Sequence, residues 1–115
     1  MRFILALIQP TKLRAVQEAL AKIGVQRMTV CDAQGYGRQL GELVQRQREA
    51  QPTLLRKIAL EIAVNEDFLD RTVETIAQVA RTGPEGSIGD GKVFVLPIEE
   101  VVRLSDTVRG AEAVS

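Results

Sequence analysis

The apolar positions of the chain fall into two similar halves. Residues 2–9 hold a run in which Phe3, Leu5 and Leu7 alternate with Ile4, Ala6 and Ile8 before Pro10. Six apolar residues closed by a proline predict a strand covered on both faces. Thr11 is a candidate N-cap, and 12–23 has helical spacing, with Leu13, Val16, Leu20 and Ile23 on one stripe. Gly24 is placed to stop that helix. Val25, Met28 and Val30 mark an extended segment over 25–36.

The second half repeats the order. Ile58, Leu60, Ile62 and Val64 alternate with Lys57, Ala59, Glu61 and Ala63, the period of a strand. Asn65 or Asp67 is placed to cap a helix whose buried stripe is Leu69, Val73, Ile76, Ala77 and Ala80, with Gly83 beyond it. Val93-Phe94-Val95-Leu96-Pro97 reads as a fourth strand, in which Phe94, like Phe3, is expected in the core. Residues 98–103 continue as a turn or strand, and the polar residues after them are expected to be mobile.

The order β-α-β, β-α-β predicts an α+β, ferredoxin-like βαββαβ fold: a four-stranded antiparallel sheet with two helices on one face. The apolar residues on both sides of the first strand require cover on the second face too. No spare helix exists, so a second copy of the chain is the expected cover. Residues 38–55 make an unusually long connection for so small a domain, strongly polar around Gln45–Gln51 and interrupted by Pro52. Such a segment is either an insertion or an arm that touches a partner.

Composition narrows the chemistry. The 115 residues form one domain, with 45% hydrophobic and 26% charged content. Fifteen basic and fifteen acidic residues cancel, which argues against bulk attraction to nucleic acid or a membrane surface. Histidine is absent, which removes the usual general base and the commonest metal ligand. The single Cys31 cannot form an internal disulfide and is expected as a small buried hydrophobe. Catalysis is therefore disfavoured and binding is not. The first apolar run is too short for a membrane span and no cleavage site follows it, so the expected location is cytoplasmic.

Two glycine clusters suggest an anion site: Gly35-Tyr36-Gly37-Arg38-Gln39, and Gly83 through Lys92. Glycines let backbone amides converge on an anion, and an adjacent base adds charge. Gly86 to Lys92 matches the first part of a P-loop. Val93 stands where Ser or Thr is needed, however, and Lys92 opens a strand instead of a helix, so a P-loop NTPase is rejected.

Taken together, Ile23-Gly24-Val25-Gln26-Arg27-Met28-Thr29-Val30, Gly35-Tyr36-Gly37-Arg38-Gln39, Ala80-Arg81-Thr82-Gly83 and Ile88-Gly89-Asp90-Gly91-Lys92-Val93-Phe94-Val95 resemble the PII signal-transduction proteins of nitrogen regulation. The resemblance implies a homotrimer of one domain (1–115), with ATP or ADP bound in clefts between subunits. It implies nucleotide contacts from Thr29, Gly35, Gly37, Arg38, Gln39, Glu61, Ile62, Val64, Gly89, Asp90, Gly91, Lys92 and Arg103. For 2-oxoglutarate bound beside Mg-ATP it implies Gln39, Lys57 and Gly89. Mg²⁺ would be held mainly by ligand oxygens, with Gln39 assisting. Residues 83–92 match the family's phosphate loop, 104–115 its C-terminal tail and 38–55 its T-loop. Through that arm a target is controlled: an enzyme, a transporter or a transcription factor of nitrogen metabolism.

The chain also departs from the family. Ala50 stands where many members carry a modifiable tyrosine, and the only tyrosine is Tyr36, so uridylylation at the loop tip is excluded. Arg48 replaces a serine phosphorylated in some members. Pro84-Glu85-Gly86-Ser87 lengthens the phosphate loop. Ser105 replaces the second of two arginines, removing one charge-assisted phosphate bond of about 1.5–3 kcal/mol. These departures keep an alternative open: a PII-like trimer that senses another small ligand, such as bicarbonate or AMP, or that regulates a metal or solute transporter. A metal-tolerance trimer of the same fold is disfavoured by the absence of histidine.

Overall fold

The computed structural model describes residues 1–35 and 54–115. Its strands are β1 (Arg2–Ile8), β2 (Thr29–Gly35), β3 (Leu55–Val64) and β4 (Gly91–Pro97). The helices are α1 (Leu13–Lys22), entered through a 3-10 turn at Pro10–Lys12, then α2 (Glu66–Ala80) and a short α3 (Ala111–Val114). All strand pairs are antiparallel and the sheet order is β2-β3-β1-β4. This is the expected ferredoxin-like arrangement.

One face of the sheet is the core. Ile4, Ala6 and Ile8 are at most 1% exposed and pack with Ile58, Leu60, Ile62, Val64, Val16, Leu20 and Ile76 under the two helices. The other residues of β1, Phe3, Leu5 and Leu7, are only half-buried. Their cross-strand partners on β4 are Leu96, Phe94 and Lys92, and Phe94 and Leu96 remain 44% and 46% exposed. Phe3 and Phe94 are thus not core residues of the single chain. Strand periodicity marks which side chains share a face, but not which face the chain itself covers. Cys31 lies half-buried, opposite Ala59.

Local details differ from expectation for identifiable reasons. The first helix begins through Pro10, whose fixed φ suits a first turn, so Gln9 rather than Thr11 takes the cap position. Asn65 occupies the N-cap of α2, but its side chain does not cap. Its amide donates instead to the Ala111 carbonyl at 3.0 Å. The buried stripe of α2 includes Thr72, which is 0% exposed and satisfies its hydroxyl on the Phe68 carbonyl at 2.6 Å. Leu69, Val73 and Ala77 flank that stripe half-buried. Gly24, at φ +90°, stops α1 as expected.

The C-terminal segment is folded, contrary to its polar reading. Arg103 and Asp106 form a two-armed ion pair, with Nε–Oδ1 at 3.0 Å and Nη2–Oδ2 at 2.6 Å. The Arg103 amide donates to Val108 O at 2.9 Å, and Val102 bridges to Arg109. α3 then lies against Asn65, and Arg27 donates to the Ser115 carbonyl. Polarity alone missed these pairs, because each joins residues close in the turn or across the sheet end.

Candidate functional site

The second glycine cluster forms a loop between α2 and β4, and its shape follows from three constraints. First, Gly91 has φ +116°, and a Cβ there would lie 1.7 Å from the Leu7 carbonyl oxygen. Only glycine fits so close to β1. Second, the Gly89 carbonyl accepts from two side chains, Gln9 Nε2 at 2.6 Å and Lys57 Nζ. Third, the Asp90 carboxylate accepts from Thr82 Oγ1 at 2.6 Å, from Thr82 N at 3.0 Å and from Ser87 N at 2.7 Å. The loop, the start of β4 and one flank of α2 border a cleft of about 570 Å³, with Arg81, Asp90 and Lys92 among its lining residues.

The electrostatics follow the same contacts. The Thr82 hydroxyl, then the Thr82 and Ser87 amides, hold the Asp90 carboxyl below the usual carboxylate range. Partial burial pushes the Lys57 ammonium down from the usual lysine value, and the nearby Asp90 charge offsets part of that. The Arg103 guanidinium holds the Asp106 carboxyl below the usual carboxylate range, and Asp106 in turn raises Arg103.

Strand register sorts the expected ligand residues into two groups. Lys92 pairs with Leu7, and Gly35 pairs with Leu55, next to Lys57 on β3. Gly35, Lys57, Gly89, Asp90, Gly91 and Lys92 therefore share one end of the sheet. Val64 pairs with Arg2, Thr29 pairs with Glu61, and Arg103 lies beyond Pro97, which also pairs with Arg2. Val64 and Arg103 thus lie toward the opposite end, and Ile62, Glu61 and Thr29 lie nearer the middle, level with Ile4 and Leu5. From Arg2 to Leu7 the strand rises about 17 Å. The Ile62 and Val64 side chains point into the core, 1% and 4% exposed, so only their backbone is open to a ligand. Gly37, Arg38, Gln39, Tyr36, Arg48 and Ala50 lie outside the described residues, as does nearly all of 38–55.

Sequence reasoning missed three contributors. Gln9 and Thr82 hold the glycine loop from outside it, and Ser87 holds it from within. The available signal was the short acceptor-only carboxylate of Asp90, which must find donors within a loop rich in amides.

Among the described residues, no three metal-ligating side chains come together, and no helix is long and apolar enough to cross a membrane.

The family model described as nitrogen regulatory protein P-II matches residues 1–107. Among curated relatives, the chain is 44% identical to the nitrogen regulatory protein GlnK1 of Methanosarcina mazei, covering 99% of this chain and 97% of that one. It is also 44% identical to the nitrogen regulatory protein P-II of Rhizobium etli, covering 98% and 99%. A crystal structure of Arabidopsis thaliana PII bound to citrate superposes with a TM-score of 0.78 at 33% identity, over 98% of this chain and 88% of that one.

Proposed function

The chain belongs to the P-II family of nitrogen regulatory proteins, and on that footing we propose that it binds ATP or ADP between copies of itself. It is a PII-type regulator and not an enzyme, as its family is. The observation that carries the nucleotide reading is the division of the candidate residues between the two ends of one sheet. A triphosphate at Gly89–Lys92 cannot reach Arg103 or Val64 of the same copy, about 17 Å away along β1. Two copies set side by side can bring both groups to one cleft, with the phosphates on the glycine loop and the adenine against the backbone of Glu61–Val64.

The half-exposed face of the sheet supports the assembly. Phe3, Leu5, Leu7, Phe94 and Leu96 form one apolar surface, and a homotrimer with the three sheets facing inward covers it. β2 ends at Gly35, at the Lys57 end of the sheet, and Gly37, Arg38 and Gln39 come two to four positions later in the sequence.

A dicarboxylate fits beside the nucleotide. Lys57 is a half-buried cation whose present partner is only a neutral carbonyl, and 2-oxoglutarate offers it a full charge. The donor set suits Mg²⁺ held mainly by phosphate and dicarboxylate oxygens, with the Gln39 amide as the protein's contribution. Bound Mg²⁺ would neutralise charge between the two anions. Occupancy of this cleft biases the adjoining T-loop, through which a nitrogen-metabolism target in the cytoplasm is controlled. The relatives are named as nitrogen regulators, which does not favour a role repurposed to another ligand or transporter.

Calorimetric titration tests this reading. The expected result is saturable binding of ADP and ATP, with 2-oxoglutarate binding only when Mg-ATP is present. No heat with either nucleotide at millimolar concentration would overturn it.

A further inference from the structure

Asp90 sits inside the glycine loop, where a carboxylate next to polyphosphate would repel it. The structure shows what that carboxylate does instead. Its two oxygens already accept three hydrogen bonds, from Thr82 Oγ1, Thr82 N and Ser87 N. Its own amide donates to Ser87 O at 3.2 Å. These bonds join the exit of α2 to the entry of β4 across the whole loop. Gly86 leaves room for this clasp: at φ +77°, a Cβ there would stand 3.1 Å from Asp90 Oδ2 and 3.2 Å from Arg81 Cγ. On either side of Asp90 the backbone is pinned independently, Gly91 against the Leu7 carbonyl and Gly89 by Gln9 and Lys57.

We propose that Asp90 is a positioning residue of the phosphate loop: by clasping Thr82 and Ser87 it presets the Gly89–Lys92 backbone for phosphate without touching the nucleotide. The proposal rests on the nucleotide reading above and refines the expectation that Asp90 is a direct contact. Its physical basis is preorganisation. Gly89 and Gly91 adopt positive φ, at +96° and +116°, in a segment with great conformational freedom when unrestrained. A loop held in one conformation before binding loses less entropy when the anion arrives. The three donors also disperse the carboxylate charge that the anion would otherwise meet. Ser87 belongs to the stretch that lengthens this loop, so the clasp ties the added residues into the site.

The test is a comparison of ADP with adenosine, which lacks phosphate, by calorimetry on the full chain. Asp90→Asn preserves size but places an amide donor against donors. It is expected to weaken ADP by about 10- to 100-fold while leaving adenosine unchanged. Thr82→Val is expected to weaken ADP several-fold, and Thr82→Ser, which restores the hydroxyl, to recover it. This pair carries the test even if the Asp90 variant folds poorly. Wild-type ADP affinity in Thr82→Val, or in a folded Asp90→Asn, would overturn the proposal while leaving the nucleotide reading in place. So would equal losses of ADP and adenosine, since the role would then be general folding. Failure of the unaltered protein to bind ADP would overturn this proposal and the nucleotide reading together.

Discussion

Lys57 and Gly89 lie 32 positions apart, yet the Lys57 ammonium donates to the Gly89 carbonyl and fastens β3 to the glycine loop. The ammonium is partly desolvated, and among the described residues its anionic neighbour is Asp90. A dicarboxylate arriving here would exchange a neutral acceptor for a charged one. Lys57→Ala should therefore weaken 2-oxoglutarate by about 10- to 100-fold, measured with Mg-ATP at saturation. Nucleotide affinity should change less, because Gln9 still holds the Gly89 carbonyl. Equal losses for both ligands would contradict the assignment.

Gly91 and Gly83 both have positive φ, but their surroundings differ. A Cβ at Gly91 would strike the Leu7 carbonyl oxygen, whereas a Cβ at Gly83 meets nothing within 4 Å. Gly83→Ala should cost only backbone strain, about 1 kcal/mol. Gly91→Ala adds a backbone clash and should cost about 3 kcal/mol or more. Chemical denaturation of the two variants checks the order.

Asp90 gives a pH dependence with a definite sign. Its carboxyl is held below its unfolded value, so the stability it contributes is complete above about pH 4 and is lost as pH falls through the folded value. The cations that interact with it are Lys12 and Lys57. Asp90→Asn should be less stable than the unaltered chain at pH 6, and the gap should narrow toward pH 3. A gap constant with pH, followed by denaturant unfolding, would contradict the clasp.

The order of elements, the strand periods and Gly24 as a helix stop were all legible in the sequence, because each depends on local spacing. The glycine loop before β4 was legible as a loop for the same reason. Three things were not. Phe94 reads as core because its apolarity is local, yet on the sheet face away from the helices it stays 44% exposed. The folded tail depends on Arg103 meeting Asp106 and on Ala111 meeting Asn65, and polarity gives no hint of either. The separation of Lys92 from Arg103 is set by sheet register, which appears only once β1 is seen between β3 and β4.

The exposed aromatic on β4 makes the assembly testable. Phe94→Asp places a charge on the open face and should shift the protein from trimer to monomer in light scattering, with its helical content retained. A variant that stays trimeric would move the interface elsewhere.

On the proposed nucleotide reading, each site takes Lys92 from one copy and Arg103 from another. Chains carrying Lys92→Ala and chains carrying Arg103→Ala should each bind ADP poorly alone. Unfolded together in equal amounts and refolded, they should regain tight ADP binding at about one cleft in four, the fraction in which both neighbours supply an intact base. No recovery of tight sites in the mixture would contradict a cleft shared in this way.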